Sequence, residues 1–400
     1  MELRISEKAK SISPSPTLAI DSKFKQMKQQ GIPVVGFGAG EPDFDTPDNI
    51  KEAGITAIQE NFTRYTPASG TIDLKRAICC KVKADTGLEY TTDNVIVCNG
   101  GKHALTNTFM AILNPGDEVI IPAPYWVSYP EMVKMADGVP VYIDTKEEDD
   151  FKFSIAQLKA ACTEKTRALV LNTPSNPTGM VYNEEELKAI AEFAVAHQIY
   201  IIFDEIYEKL IYEGKHVNIA TLNDEARKLT IIINGMAKTY AMTGWRIGYA
   251  VAEAPIIKAM SNIQSHATSN PNSIAQRASV EAINGDQSII DVMKQEYVKR
   301  RDYMVERINS IDGLSCRVPH GAFYIFMNVK EVLNKEHYGK MIRTASDLCE
   351  DILERALVAM VPSEGFGIDG YVRLSYATSM EVIQTGLDRI EAYLQGKCTK

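Results

Sequence analysis

The chain has 400 residues, of which 45% are hydrophobic and 24% are charged, and its formal net charge is −9. This length exceeds that of one ordinary domain and allows a large buried core. The acidic balance argues against nucleic acid as a partner, because binding to a phosphate backbone depends on basic patches.

The N-terminal residues 1–10 are charged and lack the apolar core of a secretory signal. No run in the chain approaches the roughly 18 consecutive apolar residues that a membrane-spanning helix needs. We therefore expect a cytoplasmic protein without a membrane partner.

Between about residues 92 and 252, short apolar runs alternate with helical patterns. The apolar runs predict buried strands at residues 94–98, 118–121, 168–171, 199–203 and 229–233. Helices are predicted between them, for example after Asn183, a typical N-cap that is followed by three glutamates. Continuous apolar strands separated by helices indicate a mostly parallel sheet with both faces covered.

The pattern changes after about residue 290. A long charged helix is predicted at residues 287–310, an alternating strand at 321–329, a helix at 345–356 and a last strand at 371–377. These elements predict a smaller α+β domain, with which the N-terminal segment packs. We expect an α/β protein with a large, mostly parallel sheet domain at 49–290 and a small domain formed by 1–48 and 291–400.

The candidate site residues follow predicted strands. Lys238 comes shortly after the run 229–233, and Arg246 follows eight residues later. Ligands of parallel sheets bind beyond the carboxyl ends of the strands, where such residues meet. A lysine at a strand end can hold an aldehyde cofactor, and a nearby arginine can bind its phosphate. The pair therefore indicates pyridoxal phosphate.

Pyridoxal phosphate also needs a carboxylate for its ring nitrogen, donors for its phenolic oxygen, helix-start N–H groups for its phosphate and an aromatic plate for its ring. The respective candidates are Asp204, Tyr207, the pair Gly100 and Gly101, and Trp126. Two more candidates are Asn176, in a rigid Pro-rich loop before Asp204, and Arg373, whose guanidinium suits a substrate carboxylate.

Each of these residues, taken alone, also fits an ordinary structural role. Asp204 could be a helix N-cap, Asn176 part of a simple turn, Trp126 a packing residue and Arg373 a solvent-facing strand residue. Their common position after predicted strands favours one shared site. The seven cysteines and six histidines show neither a disulfide framework nor metal-ligand spacing, so we expect no metal site.

Several longer motifs occur along the chain in a fixed order. They include G-A-G-E-P-D-F-D-T-P, R-Y-T-P-A-S-G, N-G-G-K-H-A-L, N-T-P-S-N-P-T-G, D-E-I-Y-E, K-T-Y-A-M-T-G-W-R-I-G-Y and V-R-L-S-Y-A. In this combination the chain resembles the class I aminotransferases, which are fold-type I pyridoxal-phosphate enzymes, and most of all their bacterial aspartate aminotransferase group. The resemblance covers nearly the whole chain and implies a large, mostly parallel seven-stranded sheet.

The resemblance also implies a role for each cofactor residue. Lys238 would hold the cofactor covalently and then act as the general base, and Asp204 would pair with the ring nitrogen. Tyr207 and Asn176 would hold the phenolic oxygen, Gly100, Gly101 and Arg246 would bind the phosphate, and Trp126 would stack on the ring. Tyr65 would reach the phosphate of the neighbouring subunit, which implies a homodimer with shared active sites. Many relatives carry a serine where this chain has Gly235, so one phosphate ligand is expected to be missing.

The substrate residues implied by the resemblance are Arg373 for the α-carboxylate, helped by Gly40, and Lys102 for a distal carboxylate, with Ser15 and Thr17 nearby and Trp126 and Asn176 also in contact. This set suits a ping-pong exchange between L-aspartate and 2-oxoglutarate. Related enzymes use prephenate, aromatic amino acids or alanine, and a lyase reaction on the same cofactor also stays open. A DNA-binding regulator built on this fold is disfavoured, because the acidic chain begins at the family's own N-terminal segment.

Overall fold

The structure is a computed structural model that describes residues 4–14 and 16–398. Ser15 lies outside the described residues, and so does the side chain of Thr17. The strands are, in chain order, β1 (Val35–Gly36), β2 (Val95–Cys98), β3 (Glu118–Ala123), β4 (Val139–Asp144), β5 (Thr166–Asn172), β6 (Tyr200–Asp204), β7 (Thr230–Gly235), β8 (Gly248–Val251), β9 (Tyr324–Asn328), β10 (Lys335–His337), β11 (Lys340–Ile342), β12 (Val358–Ala359), β13 (Val361–Pro362) and β14 (Tyr371–Ser375). The helices are α1 (Glu7–Ser11), α2 (Pro16–Gln29), α3 (Asp48–Gln59), α4 (Ile72–Thr86), α5 (Gly101–Ile112), α6 (Ser128–Met135), α7 (Ile155–Ala161), α8 (Glu184–His197), α9 (Asp224–Leu229), α10 (Met236–Thr239), α11 (Ala254–Ala267), α12 (Ser273–Asn284), α13 (Ser288–Asn309), α14 (Ala345–Ala356) and α15 (Met380–Leu394).

Seven strands form the central sheet in the order β2-β8-β7-β6-β5-β3-β4. Strand β8 pairs antiparallel with β2 and β7, whereas the other neighbours are parallel. The α/β class and the large, mostly parallel sheet are therefore confirmed. The apolar runs predicted β2, β3, β5, β6 and β7, but neither β4 nor β8 was predicted. The predicted N-cap Asn183 does begin α8, where its side chain accepts the backbone N–H of Glu186.

Alternating side chains of the central strands enter separate cores on the two faces of the sheet. In β6, Ile202 packs in a cluster with α5, α6 and α11, whereas Ile201 and Phe203 pack against α8. In β7, Ile232 packs with α3, α4 and α12 on the face opposite to α5. These four side chains are completely buried, and burial of each contributes about 1.5–3 kcal/mol. This packing on both faces therefore fixes the positions of the residues at the ends of the strands.

A second, smaller sheet has the antiparallel order β13-β14-β9, and β1 pairs in parallel with β12. Strands β9, β12 and β14 share one core with α13, α14 and α15, and Phe37 of the N-terminal segment is buried in it. The N-terminal segment thus packs with the C-terminal part of the chain. The boundaries 49–290 for the large domain, and 1–48 with 291–400 for the small one, stay a prediction.

One edge of the central sheet carries both the ends of its parallel strands and the start of β8. Because β8 runs antiparallel to β7, Gly248 at its start pairs with Gly235 at the end of β7. Arg246 and Lys238 therefore lie at the same edge, although they belong to opposite ends of neighbouring strands. Among the helices of the described residues, none combines the length and apolar composition that crossing a bilayer requires.

Candidate active site

A cavity of about 390 Å³ lies at this edge, and its wall also includes residues of the small sheet. Ten residues selected from the sequence line it, namely Gly40, Gly101, Lys102, Trp126, Asn176, Asp204, Tyr207, Lys238, Arg246 and Arg373. They come from segments that are up to several hundred residues apart in the chain. The fold therefore brings most of the predicted site residues into one volume.

Asp204 is the last residue of β6, and its side chain is buried, with 4% of the residue exposed. The hydroxyl of Tyr129 donates to its Oδ2 at 2.6 Å, and the backbone N–H of Ile206 donates to its Oδ1 at 3.2 Å. Burial raises the pKa of Asp204 to about 6, although both hydrogen bonds act to lower it. Among the described residues no cation forms an ion pair with this carboxylate, so the site favours a positively charged or N–H-bearing ligand.

Lys238 lies in the single turn α10, directly after β7, and is half-buried. Its Nζ donates to the backbone oxygen of Gly40. Burial lowers the pKa of Lys238 to about 8, Glu41 acts to raise it, and Arg373 and Arg246 lower it further. The neutral amine is therefore accessible near physiological pH, as a nucleophile or a general base requires.

Three glycines form a close backbone contact at the start of α5. A Cβ atom on Gly248 would lie 2.3 Å from both the carbonyl carbon of Gly100 and the nitrogen of Gly101. Gly100 has φ of +86°, and a Cβ atom on it would lie 2.4 Å from Nη2 of Arg246. The N-terminus of α5 and a guanidinium thus lie side by side, which is a favourable arrangement for an anion.

Arg246 itself is exposed, and its guanidinium donates to two backbone oxygens. Its Nη1 donates to Thr243 O at 3.0 Å and its Nη2 to Asn99 O at 3.3 Å. Among the described residues no carboxylate forms an ion pair with it. Its charge is therefore fixed in place and uncompensated, which suits a phosphate group.

Arg373 is the central residue of β14 and has only 3% of its surface exposed. Its Nη1 donates to Asn176 Oδ1 at 3.0 Å and its Nη2 to Gly38 O at 3.1 Å. The ring centres of Tyr324 and Phe366 lie 4.5 and 5.2 Å, respectively, from Cζ of the guanidinium. Burial lowers its pKa, and its buried Nε has no partner among the described residues. A buried guanidinium that is not paired with a carboxylate of the protein can bind the carboxylate of a ligand.

Asn172 connects this arginine to Asp204. Its Nδ2 donates to the backbone oxygen of Asp204 at 2.9 Å, and its Oδ1 accepts the N–H of Asn176 at 2.8 Å. Asn176 in turn accepts from Arg373. The candidate ring partner and the candidate carboxylate clamp therefore belong to one hydrogen-bond chain.

Lys102 occupies the first turn of α5, and its Nζ lies 4.9 Å from the ring centre of Trp126. Burial lowers its pKa, and the nearby charge of Arg246 lowers it further. Within the described part of the chain no carboxylate forms an ion pair with it. The cavity thus has a second cation besides Arg373, placed on an aromatic face.

Four cavity residues whose side chains contribute to this geometry were not selected from the sequence: Glu41, Tyr129, Asn172 and Tyr324. Tyr324 exchanges a hydrogen bond of 2.9 Å with Tyr207 through the two hydroxyls. Tyr129 follows Trp126 by three residues, and Tyr324 lies on the alternating strand β9. Their spacing could have indicated that both residues line the cavity, although not which groups they bind.

Tyr65 does not reach this cavity. Its side chain is 90% exposed and lines a separate, shallow surface pocket beside Thr268 and Asn270. That it reaches a neighbouring subunit stays a prediction.

Glu205, Glu208 and His216 form a group with metal-like spacing, because their ligand atoms lie within 4.8 Å of one another. The group is already neutralised by its neighbours: Glu205 accepts from His216 Nε2 at 2.7 Å, and Glu208 pairs with Lys81. It is a buried ion-pair network below the strand ends.

The chain matches the family model of the class I and II aminotransferases over residues 32–390. It is 48% identical to the aspartate aminotransferase of Geobacillus stearothermophilus, over 99% of this chain and 100% of the relative. It is 46% identical to an aspartate/prephenate aminotransferase of Nitrosomonas europaea, over 98% and 100%. The solved structure of Thermus thermophilus aspartate aminotransferase with maleate superposes with a TM-score of 0.93 at 41% identity, over 98% of this chain and 100% of that one.

The family match spans most of the chain, the curated relatives match it end to end, and the solved structure has the same fold. The chain belongs to the class I and II aminotransferases.

Proposed function

We propose that this aminotransferase transfers the amino group of L-aspartate to 2-oxoglutarate, with pyridoxal phosphate as the cofactor. The observation that carries the proposal is the pair of cations in one cavity with Lys238. Arg373 and Lys102 both line that cavity, and neither is paired with a carboxylate of the described residues. Aspartate and 2-oxoglutarate each carry two carboxylates, so one cation is available for each group. The names of the relatives and the maleate in the Thermus structure, itself a dicarboxylate, support this assignment.

The residues present fit the cofactor. Gly100 and Gly101 leave room for a phosphate next to Arg246. With any larger residue at position 100, the Cβ atom would collide with the guanidinium. The buried carboxylate of Asp204 is suited to a ring N–H, and the Lys238 amine to an aldehyde. Trp126 offers an aromatic face, and Tyr207 and Asn176 offer donors to the phenolic oxygen.

When bound, pyridoxal phosphate supplies an electron-withdrawing ring that stabilises negative charge at the substrate α-carbon. Asp204 holds the proton on the ring nitrogen, since a carboxylate in an apolar setting binds a positive partner strongly. Lys238 moves the proton to and from the α-carbon, because its lowered pKa provides a neutral amine. Arg373 fixes the α-carboxylate, with Gly40 beside it, and Lys102 orients the far end of the substrate. The exchange is ping-pong: the first 2-oxo acid leaves before the second one enters.

The proposal includes a cytoplasmic homodimer with shared sites, in which Tyr65 reaches the phosphate of the neighbouring subunit. Its support is the 90% exposure of this tyrosine together with three exposed isoleucines on nearby elements, Ile55, Ile58 and Ile72. A surface this apolar suits burial against another copy.

The substrate assignment is tested with a panel of amino donors and 2-oxoglutarate as the acceptor. In wild-type protein we expect aspartate to be the best donor. Lys102→Met should reduce kcat/KM for aspartate about 100-fold, but that for alanine and phenylalanine less than threefold, because only aspartate has a distal carboxylate. Equal losses for all donors would overturn the role of Lys102. A higher kcat/KM for an aromatic donor, or for prephenate as the acceptor, would favour the other aminotransferase reactions.

A lyase reaction is separated by its products. Release of ammonia from the amino acid without any oxo-acid acceptor would contradict transamination. Cofactor binding is tested by borohydride reduction in the presence of pyridoxal phosphate, which should label wild-type protein at Lys238 and leave Lys238→Ala unlabelled.

A further inference from the structure

Two buried glutamines anchor the segment that directly follows Tyr65. Gln276 of α12 accepts the backbone N–H of Thr71 at 2.8 Å and donates to Thr66 Oγ1 at 3.2 Å. Gln264 of α11 donates to the backbone oxygen of Ala68 at 2.6 Å. Both glutamines are completely buried. A buried amide that loses its partners costs about 1–3 kcal/mol, so these bonds hold the segment 66–71, here termed the arm, firmly in place.

The arm is fixed on its other sides as well. Ser273 donates to the backbone oxygen of Phe62 at 2.7 Å, just before Tyr65. The backbone N–H of Val97 donates to Ser69 O at 3.0 Å, and Gly70, with φ of +101°, is packed so tightly that a Cβ atom on it would lie 2.5 Å from Val97 Cγ2. Tyr65, which is 90% exposed, thus lies between two anchored points of the chain, Phe62 and the arm. A rigid contact residue of this kind loses little entropy on binding.

Gln264 also contacts the strand that leads to the phosphate site of its own chain. Its Nε2 donates to Val97 O in β2 at 2.8 Å, in addition to Ala68 O, and its Oε1 accepts from Asn107 Nδ2 in α5 at 2.8 Å. Strand β2 ends at Cys98, two residues before Gly100, and α5 begins at Gly101. One side chain therefore connects the arm to both elements that flank the glycine contact. Among the described residues Gln276 bonds directly to neither β2 nor α5, and its third bond goes to Pro271 O at 2.9 Å.

We infer that Gln264 is a positioning residue for two cofactor phosphate sites at once, that of its own subunit through β2 and α5, and that of the neighbouring subunit through the arm and Tyr65. Gln276 bonds to the arm and reaches β2 of its own chain only indirectly, through the bond between Val97 N–H and Ser69 O, so it acts mainly on the neighbouring site. This inference rests on the proposed function, since it requires a phosphate-bearing cofactor and a dimer with shared sites. Its consequence is that loss of one buried amide weakens cofactor binding in both subunits.

Mixed dimers with different affinity tags test the inference. One subunit carries Lys238→Ala, so borohydride fixes pyridoxal phosphate only in the other, reporting subunit. Gln264→Met is expected to raise the pyridoxal phosphate concentration for half-labelling about tenfold, whether it is placed in the reporting subunit or in its neighbour. Gln276→Met should have this tenfold effect from the neighbour, but less than a threefold effect from the reporting subunit. Ser279→Ala, also completely buried on α12, should have no effect from either subunit.

The inference is overturned if Gln264→Met acts from only one of the two positions, or from neither. Tyr65→Phe in the neighbour distinguishes this result from failure of the proposed function: if that variant also leaves labelling unchanged, the shared site itself is wrong. Amide hydrogen exchange of cofactor-free protein gives a second readout, and Gln276→Met should accelerate exchange in residues 66–71 at least tenfold. If Gln264→Met does not fold, Asn107→Ala removes one partner of Gln264 and should act in the same two positions, with a smaller effect.

Discussion

The hydroxyl of Tyr129 donates a hydrogen bond of 2.6 Å to Oδ2 of Asp204, and both side chains are buried. Tyr129 lies in the first turn of α6, whereas Asp204 ends β6, 75 residues later. The bond opposes the burial that raises the pKa of Asp204 to about 6, because it stabilises the ionised carboxylate. A residue from another part of the chain therefore partly offsets the effect of burial on the pKa of Asp204.

Replacement of this tyrosine should reduce turnover without a comparable effect on substrate binding. In Tyr129→Phe the carboxylate loses a charge-assisted bond worth about 1.5–3 kcal/mol, so its pKa rises. The carboxylate then competes for the proton of the ring nitrogen, and the ring withdraws electrons less strongly. We expect kcat for aspartate to fall about tenfold and KM to change less than threefold in steady-state assays. Tyr125→Phe is the control, since Tyr125 stacks on Tyr142 and does not contact Asp204. A similar loss of turnover in both variants would contradict the role of the Tyr129 bond.

Asp204 should reduce the stability of the cofactor-free protein at neutral pH. Its pKa is 3.8 when exposed and about 6 in the fold, so between these values the folded chain keeps a proton that the unfolded chain has released. The free energy of unfolding therefore falls as pH rises from about 4 to 6, by about 3 kcal/mol in total. Asp204→Asn should remove this part of the pH dependence and be the more stable protein at pH 7, as measured by urea unfolding. Asp312→Asn, at an exposed position, should keep the wild-type profile. A pH dependence that is unchanged in Asp204→Asn would refute the assignment.

The amine of Lys238 should become reactive at a lower pH than an ordinary lysine. Its pKa is lowered to about 8, so the neutral form is half populated there, compared with 10.5 for an exposed lysine. Modification of cofactor-free protein with trace acetic anhydride, read by peptide mass spectrometry, should give a midpoint near pH 8 at this residue. Glu41 acts to raise this pKa, so Glu41→Gln should move the midpoint to lower pH. A midpoint that moves upward in Glu41→Gln would contradict this electrostatic account.

The parallel strands and the residues at their ends could be predicted from the sequence because both signals are local. The run 199–203 is apolar throughout, as a strand buried on both faces requires, and the polar residue that follows it must lie at the sheet edge. The same reasoning missed β4, whose residues are mostly exposed or half-buried at the edge of the sheet. It also missed the short strand β8, which begins with Gly248.

Contacts between distant segments could not be predicted from local patterns. Nothing in the spacing of Tyr129 indicates that its hydroxyl meets Asp204, because the register of α6 on the sheet decides it. The roles of Gln264 and Gln276 were missed for the same reason, because they depend on which distant backbone groups the two buried side-chain amides bind. The backbone groups that they bind in the arm and in β2 lie 167 to 205 residues away in the chain.

Arg373 should contribute equally to the binding of all amino-acid substrates, unlike Lys102. Its guanidinium is held by Asn176 Oδ1 and Gly38 O, and a lysine cannot reproduce that planar arrangement. Arg373→Lys should lower kcat/KM about 100-fold for aspartate and alanine alike, in assays with saturating 2-oxoglutarate. A loss confined to aspartate would show that the guanidinium binds the distal carboxylate instead.

Gly235 should not tolerate the serine that many relatives carry there. A Cβ atom at this position would lie 2.9 Å from both Gly248 Cα and Ile247 O, so β7 and β8 would have to move apart. Such overpacking costs about 1–3 kcal/mol. Because β8 contacts Gly100 and Gly101, its movement would also displace the glycines that face the phosphate, so the added hydroxyl would not meet the phosphate in place. We expect Gly235→Ser to lower the midpoint of urea unfolding and to weaken the binding of pyridoxal phosphate. Gly244→Ser is the matched control for stability, because no atom lies within 4 Å of a Cβ at that position. Tighter cofactor binding by Gly235→Ser, with an unchanged unfolding midpoint, would show that the two strands can separate without cost.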